Sequence, residues 1–187
     1  NAWPNYVAQR LSFAEAQQRS NYESYVIMRP TKLIEVGEPS TTGVYLNATR
    51  QPFRVRTSPV SGTVNHIVEV GGRAEVTGFL GIESDGYQWL RVKSRNFDGY
   101  AQLDTYNCYT LSGYASGRYL VATKQKFRIR DYPVTGKELA MINIGERVMI
   151  TEFLPIQSDG YQWVKVNHSI YGQGFAQIDT HNCYTVM

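Results

Sequence analysis

SDGYQW stands at residues 84–89 and again at 158–163, and this repetition decides how the rest of the chain is read. Self-similarity at a fixed period constrains the fold before any local propensity does. Working outward, FRVRTSPVSG (53–62) matches FRIRDYPVTG (127–136), and GGRAEVTGFLGIESDGYQWLRV (71–92) matches GERVMITEFLPIQSDGYQWVKV (145–166). GYAQLDTYNCYTL (99–111) matches GFAQIDTHNCYTV (174–186), the offset having grown from 74 to 75, so one residue has entered within 167–173, in a loop. The chain is a duplicated module, 43–111 and 117–187, joined by SGYAS (112–116) and preceded by a unique arm, 1–42.

Each copy has about seventy residues, enough for one small core but close to the size at which folding alone is marginal. Packing between the copies, or with the arm, would then contribute to stability. The net charge of +3 is too small to call for a nucleic-acid partner. No apolar run approaches the roughly eighteen residues of a membrane-spanning helix.

Within each copy the local patterns are those of strands. In FRVR and FRIR apolar residues alternate with arginine, which turns Phe53 and Val55 inward and Arg54 and Arg56 outward. SPVSG and YPVTG bring Pro and Gly close together and read as a turn or loop. RAEVTGFL and RVMITEFL are rich in β-branched and aromatic residues. Asp85-Gly86 is a hairpin signal directly ahead of the alternating strand YQWLRV. GYAQLD and GFAQID add a short strand after a glycine. The expected fold is all-β: two tandem small barrels, with an arm holding a short helix and an extended segment. Phe53, Val55, Phe79, Trp89 and Val92 are the expected core of the first copy. Phe127, Ile129, Phe153, Trp163 and Val166 are their counterparts.

FRVR-x-x-P-V-x-G, DGYQWLRV and terminal GYAQLD, taken in that order, resemble the bacterial-type SH3 (SH3b) domain. The resemblance covers both copies and not residues 1–42. It implies SH3-like barrels and noncatalytic modules of secreted or cell-surface proteins, some of which bind cell-wall peptides. Phe where Leu is common before the arginine strand, and the added NCYT ending, depart from the family pattern.

Few residues offer chemistry. A cysteine nucleophile needs a histidine base held by a third group. Cys108 and Cys183 occupy matching places, but His181 is matched by Tyr106, so a Cys–His pair is not preserved in both copies. His181-x-Cys183 is half of a metal site without its other ligands. The expectation is no catalytic residue, no metal and no cofactor. The two cysteines leave three states open: a bridge across the copies, a bridge between molecules, or reduced and buried thiols. A face-to-face arrangement of the copies brings the cysteines near a local twofold axis. A head-to-tail one keeps them beyond the roughly 7 Å Cα separation that a disulfide tolerates.

Two regions are candidates for binding. Lys124, Lys126, Arg128 and Arg130 alternate, so they are expected on one strand face, fit to meet an anionic glycan; Tyr132 lies beside them. In the arm, Ser12 and Glu15 have capping-box spacing, which predicts a helix from about Phe13 to Tyr22. Tyr25, Val26, Ile27 and Met28 then form an apolar, β-prone run stopped near Pro30, suited to adding a strand to an exposed sheet edge. The expected function is a non-enzymatic extracellular or cell-surface structural protein that self-assembles through its arm. The alternative is a module binding cell-wall peptide or glycan.

Overall fold

The computed structural model describes residues 43–106, 108–181 and 183–187. The arm, with its expected helix and the run of Tyr25, Val26, Ile27 and Met28, lies outside the described residues. The described chain is all-β and builds two seven-stranded antiparallel sheets, one per copy. The first holds β1 (Val44–Ala48), β2 (Phe53–Arg56), β3 (Val64–Val68), β4 (Arg73–Ile82), β5 (Gln88–Ser94), β6 (Phe97–Leu103) and β7 (Tyr109–Gly113). Its spatial order is β3-β2-β6-β5-β4-β1-β7.

The second sheet repeats it with β8 (Arg118–Ala122), β9 (Phe127–Arg130), β10 (Glu138–Ile142), β11 (Arg147–Ile156), β12 (Gln162–His168), β13 (Gly172–Gln177) and β14 (Tyr184–Val186). Its order, β10-β9-β13-β12-β11-β8-β14, is the same. The inserted residue falls between β12 and β13, where 169–171 replaces the two-residue link 95–96 of the first copy.

Two register shifts in β4, between Val76 and Gly78 and between Phe79 and Ile82, recur at the same places in β11. Such bulges bend a long strand and increase its twist. Gly86 and Gly160, at φ of 86° and 85°, take the left-handed position of the Asp-Gly turn. In each turn the aspartate carboxylate, Asp85 or Asp159, accepts the backbone N–H of the tyrosine two residues on.

Phe53, Val55, Trp89 and Val92 are buried, as are Phe127, Ile129, Trp163 and Val166. Phe79 and Phe153 are instead half-buried and pack against the core from outside, since their strand has already bulged away there. The buried apolar residues of the two copies form one continuous cluster.

The copies are joined reciprocally. Gln88 is fully buried and reads the backbone of Val186 with both ends of its amide, donating to the carbonyl at 2.7 Å and accepting the N–H at 2.9 Å. Gln162 does the same to Leu111, the repeat equivalent of Val186, at 2.7 and 2.8 Å. Thr105 donates to the carbonyl of Ile178, and Thr180 to that of Leu103. Tyr87 stacks on His181 with ring centroids 4.4 Å apart, and Tyr161 meets Tyr106 at 4.8 Å. Each of these contacts from first copy to second has its return, which is the signature of a local twofold axis. The Arg118 guanidinium over the Phe79 ring, 5.0 Å from its centroid, has none, because the repeat equivalent of Arg118 is Val44.

Candidate functional site

Two surface grooves are built from equivalent residues of the two copies. The first, about 430 Å³, has Trp89 at its base and is walled by Phe53, Tyr109, Gln102 and the segment around Val60. The second, about 690 Å³, uses Trp163, Phe127, Tyr184, Gln177 and Val134 in the same places. Volumes of this size suit a short peptide or a small ligand.

The base of each groove is fixed by one carboxylate. Asp85 accepts the Trp89 indole N–H at 3.0 Å and the Gln102 amide at 3.1 Å, in addition to its turn contact. Asp159 holds Trp163 at 2.9 Å and Gln177 at 3.1 Å. A carboxylate with three donors around it is a positioning group, its charge already compensated by hydrogen bonds. Trp89 and Trp163 are only 3% and 4% exposed, so the indoles brace the groove rather than present a ring to solvent. Beside them, burial followed by the neighbouring Cys108 and Asp104 pushes the Tyr109 phenol up to about 12, while Arg54 draws it down. Tyr184 is raised to about 12 by burial and then by Cys183 and Asp179. Both phenols are therefore neutral at the groove wall at physiological pH. Each hydroxyl donates at a long 3.5 Å to a backbone carbonyl of its own copy, Pro52 or Lys126, a contact that a ligand acceptor would replace.

The opposite wall is a tight turn. Ser61 N–H bonds the Pro59 carbonyl at 2.7 Å across Val60, whose φ is 58°; Thr135 N–H bonds the Pro133 carbonyl across Val134, at 62°. A positive φ closed by an i to i+2 bond is a classic-handed γ-turn, rare and strained, and costly for a β-branched residue. The turn is tied down from outside. Arg56 donates to the Gly62 carbonyl at 2.8 Å, and Arg130 to that of Gly136 at 2.6 Å. Glycine is required at 62, because a Cβ there would lie 2.2 Å from the backbone nitrogen of Ser58.

The basic stripe is divided by the structure. Only Arg128 and Arg130 lie on β9; Lys124 and Lys126 precede the strand, because the chain is still turning there, so the four do not share one strand face. Lys126, Arg128 and Arg130 line the second groove, and Lys124 does not. Tyr132 is 67% exposed, outside the groove lining, with its ring centroid 6.2 Å from that of Phe175.

Cys108 and Cys183 are free, buried thiols. Each donates to an aspartate of its own copy, Asp104 or Asp179, at 3.5 Å. Burial first, then the aspartate, raises the thiols to about 11 and about 12. Nucleophilic cysteines need the opposite shift. The histidines are placed elsewhere: His66 stacks on Phe97, His168 accepts backbone N–H groups of 170 and 171, and His181 stacks on Tyr87. Among the described residues no group of His, Cys, Asp and Glu could hold a metal ion, and no helix is long and apolar enough to cross a membrane.

Two features escaped the sequence reading. Gln88 and Gln162 lie inside the repeated hexapeptide, yet only its Asp-Gly and Trp had an assigned role. Gln102, Gln177, Tyr109 and Tyr184 had none. The available signal was their identity between copies, each within a short stretch that the two copies share: YQW, AQ and NCYT.

No protein-family model matches the sequence, and no curated protein matches it. Among solved structures, the chain is similar to the crystal structure of Ly7917, at 13% identity and a TM-score of 0.29, over 73% of this chain and 62% of that one. It is likewise similar to Ly7917 with the hydrolyzing product of MDP, at 14% identity and a TM-score of 0.28, over 72% and 60%. The chain thus spans less than two thirds of the length of these structures. Likenesses at this level carry no argument about this chain.

Proposed function

We propose that this chain is a noncatalytic, extracellular or cell-surface binding protein made of two SH3b-like modules, each seating a short extended peptide of the cell-wall type in its groove. The observation that carries this reading is the duplication of a strained device. Both copies hold a valine at positive φ in the groove wall, opposite a tryptophan braced by aspartate. Backbone strain persists only where the surroundings over-determine it, and it concentrates at ligand clamps. The thiols, raised rather than lowered, support a noncatalytic role.

The test is cosedimentation with purified peptidoglycan. Replacing Tyr109 and Tyr184 together by Phe keeps the packing and removes one wall donor per groove. The expected result is about fivefold weaker retention, the worth of one hydrogen bond near 1 kcal/mol. Retention equal to that of the parent, at matched stability, overturns the reading.

Self-association is a second reading, favoured by a separate observation. The edge strands β3 and β10 present apolar side chains to solvent: Val64 and Ile67 are 43% and 47% exposed, and Leu139 and Met141 are 39% and 37% exposed. An open edge of this kind is a template for an added strand, which the run of Tyr25, Val26, Ile27 and Met28 has the composition to supply. Sedimentation equilibrium of the full chain tests it: a monomer across the micromolar range removes this reading and leaves the groove reading intact.

A further inference from the structure

The two grooves differ at one chemically decisive place. In the second, the Arg128 guanidinium is held by Glu138 at 2.9 Å. Glu138 stands opposite Arg130 at the start of β10. The same register position in the first copy, opposite Arg56, is Val64. Arg54 therefore lines its groove without an ion pair among the described residues, at the place where the second copy seats a carboxylate. The other charged residues of the first groove are already engaged. Arg56 is bonded to Gly62, and Asp85 is surrounded by the Trp89, Gln102 and Tyr87 donors.

We propose that the first groove binds the terminal carboxylate of a short peptide on Arg54, and that in the second copy Glu138, from beside the groove lining, engages the equivalent Arg128 with a carboxylate of the chain itself. This rests on the groove reading above and assigns its ligand chemistry. Guanidinium is suited to the task, since its planar fork matches a carboxylate in two parallel hydrogen bonds. Glu138 shows that a carboxylate is accepted on the Arg128 guanidinium, there through a single Nε–Oε2 contact. Among the described residues the second groove also has a cation without an ion pair in Lys126, where the first has Pro52, but an ammonium at that end is a point charge without the fork. The two copies, equivalent in fold, are thus not equivalent in specificity.

The full chain, labelled with ¹⁵N, is titrated with acetyl-tetra-alanine as the free acid and as the carboxamide, following the indole N–H signals of Trp89 and Trp163. At the Trp89 groove the acid is expected to bind about fivefold more tightly than the amide, the scale of a solvent-exposed ion pair. At the Trp163 groove the two peptides are expected to bind alike. Val64→Glu, at an exposed edge position, should erase the preference in the first groove, and Arg54→Gln should do so independently. Glu138→Val should create the preference in the second. Equal binding of acid and amide at Trp89, a preference already present at Trp163 in the parent, or variants without effect each overturn the proposal. Binding of neither peptide to either groove also overturns it, whereas the groove reading itself stands or falls with peptidoglycan cosedimentation.

Discussion

At the scale of single residues, the buried glutamines hold the two copies together. A primary amide carries two donors and an acceptor, and Gln88 uses them on the Val186 backbone and on the Leu80 carbonyl, at 2.8 Å. Such a side chain contributes little net free energy while it is satisfied, but its loss leaves two buried backbone groups of Val186 and the part-buried Leu80 carbonyl without it. Each of those costs roughly 1–3 kcal/mol. Gln88→Leu, close in volume, should therefore destabilise the chain by about 3 kcal/mol in urea unfolding, with part of the loss offset by apolar contact. A value below 0.5 kcal/mol on the order-of-magnitude scale of a surface change would mean that the amide is replaceable and the clasp resides elsewhere. The sequence hid this role for a physical reason. A polar letter in an alternating strand is read as facing solvent, whereas β5 opens with Gln88, Trp89 and Leu90 buried in succession, because the second copy covers the face that would otherwise be wet.

At the scale of elements, β2, β4, β5 and β6 and their counterparts were legible, whereas β1, β3 and β7 and theirs were not, nor was the backbone of the turn that shapes the groove. FRVR and FRIR form β2 and β9 with the expected alternation, and Asp-Gly forms the hairpin turn, because both depend on nearest neighbours alone. The γ-turn at Val60 contradicts local preference: Pro and Gly in SPVSG announce a turn but place positive φ on the glycine. Gly62 is needed instead for the close approach to Ser58, and the valine takes the strain. The basic stripe failed similarly, since the alternation at Lys124 and Lys126 runs past the end of β9. Val60→Gly tests the strain directly. Residues in such regions cost about 1–3 kcal/mol, and glycine returns about 0.5–1 kcal/mol to the unfolded chain, so a net gain near 1 kcal/mol is expected. The gain should come with weaker ligand retention as the wall loosens. A destabilised variant would show that the Val60 side chain stabilises by packing more than its backbone costs.

At the scale of the molecule, the duplication was fully legible, but the relation between the copies was only framed as face-to-face or head-to-tail. The reciprocal contacts answer that alternative in favour of a local twofold, and they carry a consequence for each copy alone. The residues that the reciprocal contacts use on the second copy have equivalents in the first copy itself: Leu111 for Val186, Leu103 for Ile178, Tyr106 for His181. The Arg118–Phe79 contact is not reproduced, Val44 standing where Arg118 does. A fragment of residues 43–116 is thus complementary to a second fragment of the same sequence. Near seventy residues it also has strong reason to pair, since a lone core of that size is marginal and one face would expose buried amides. Sedimentation equilibrium should find a dimer at micromolar concentration, with Gln88 of each fragment on Leu111 of the other. Gln88→Ala should shift it to monomer and lower its melting temperature in step. A fragment that is folded and monomeric at those concentrations would mean that the interface needs the Tyr106–His181 asymmetry or the covalent joint. The two copies would then be a specialised pair rather than a closed homodimer fused into one chain.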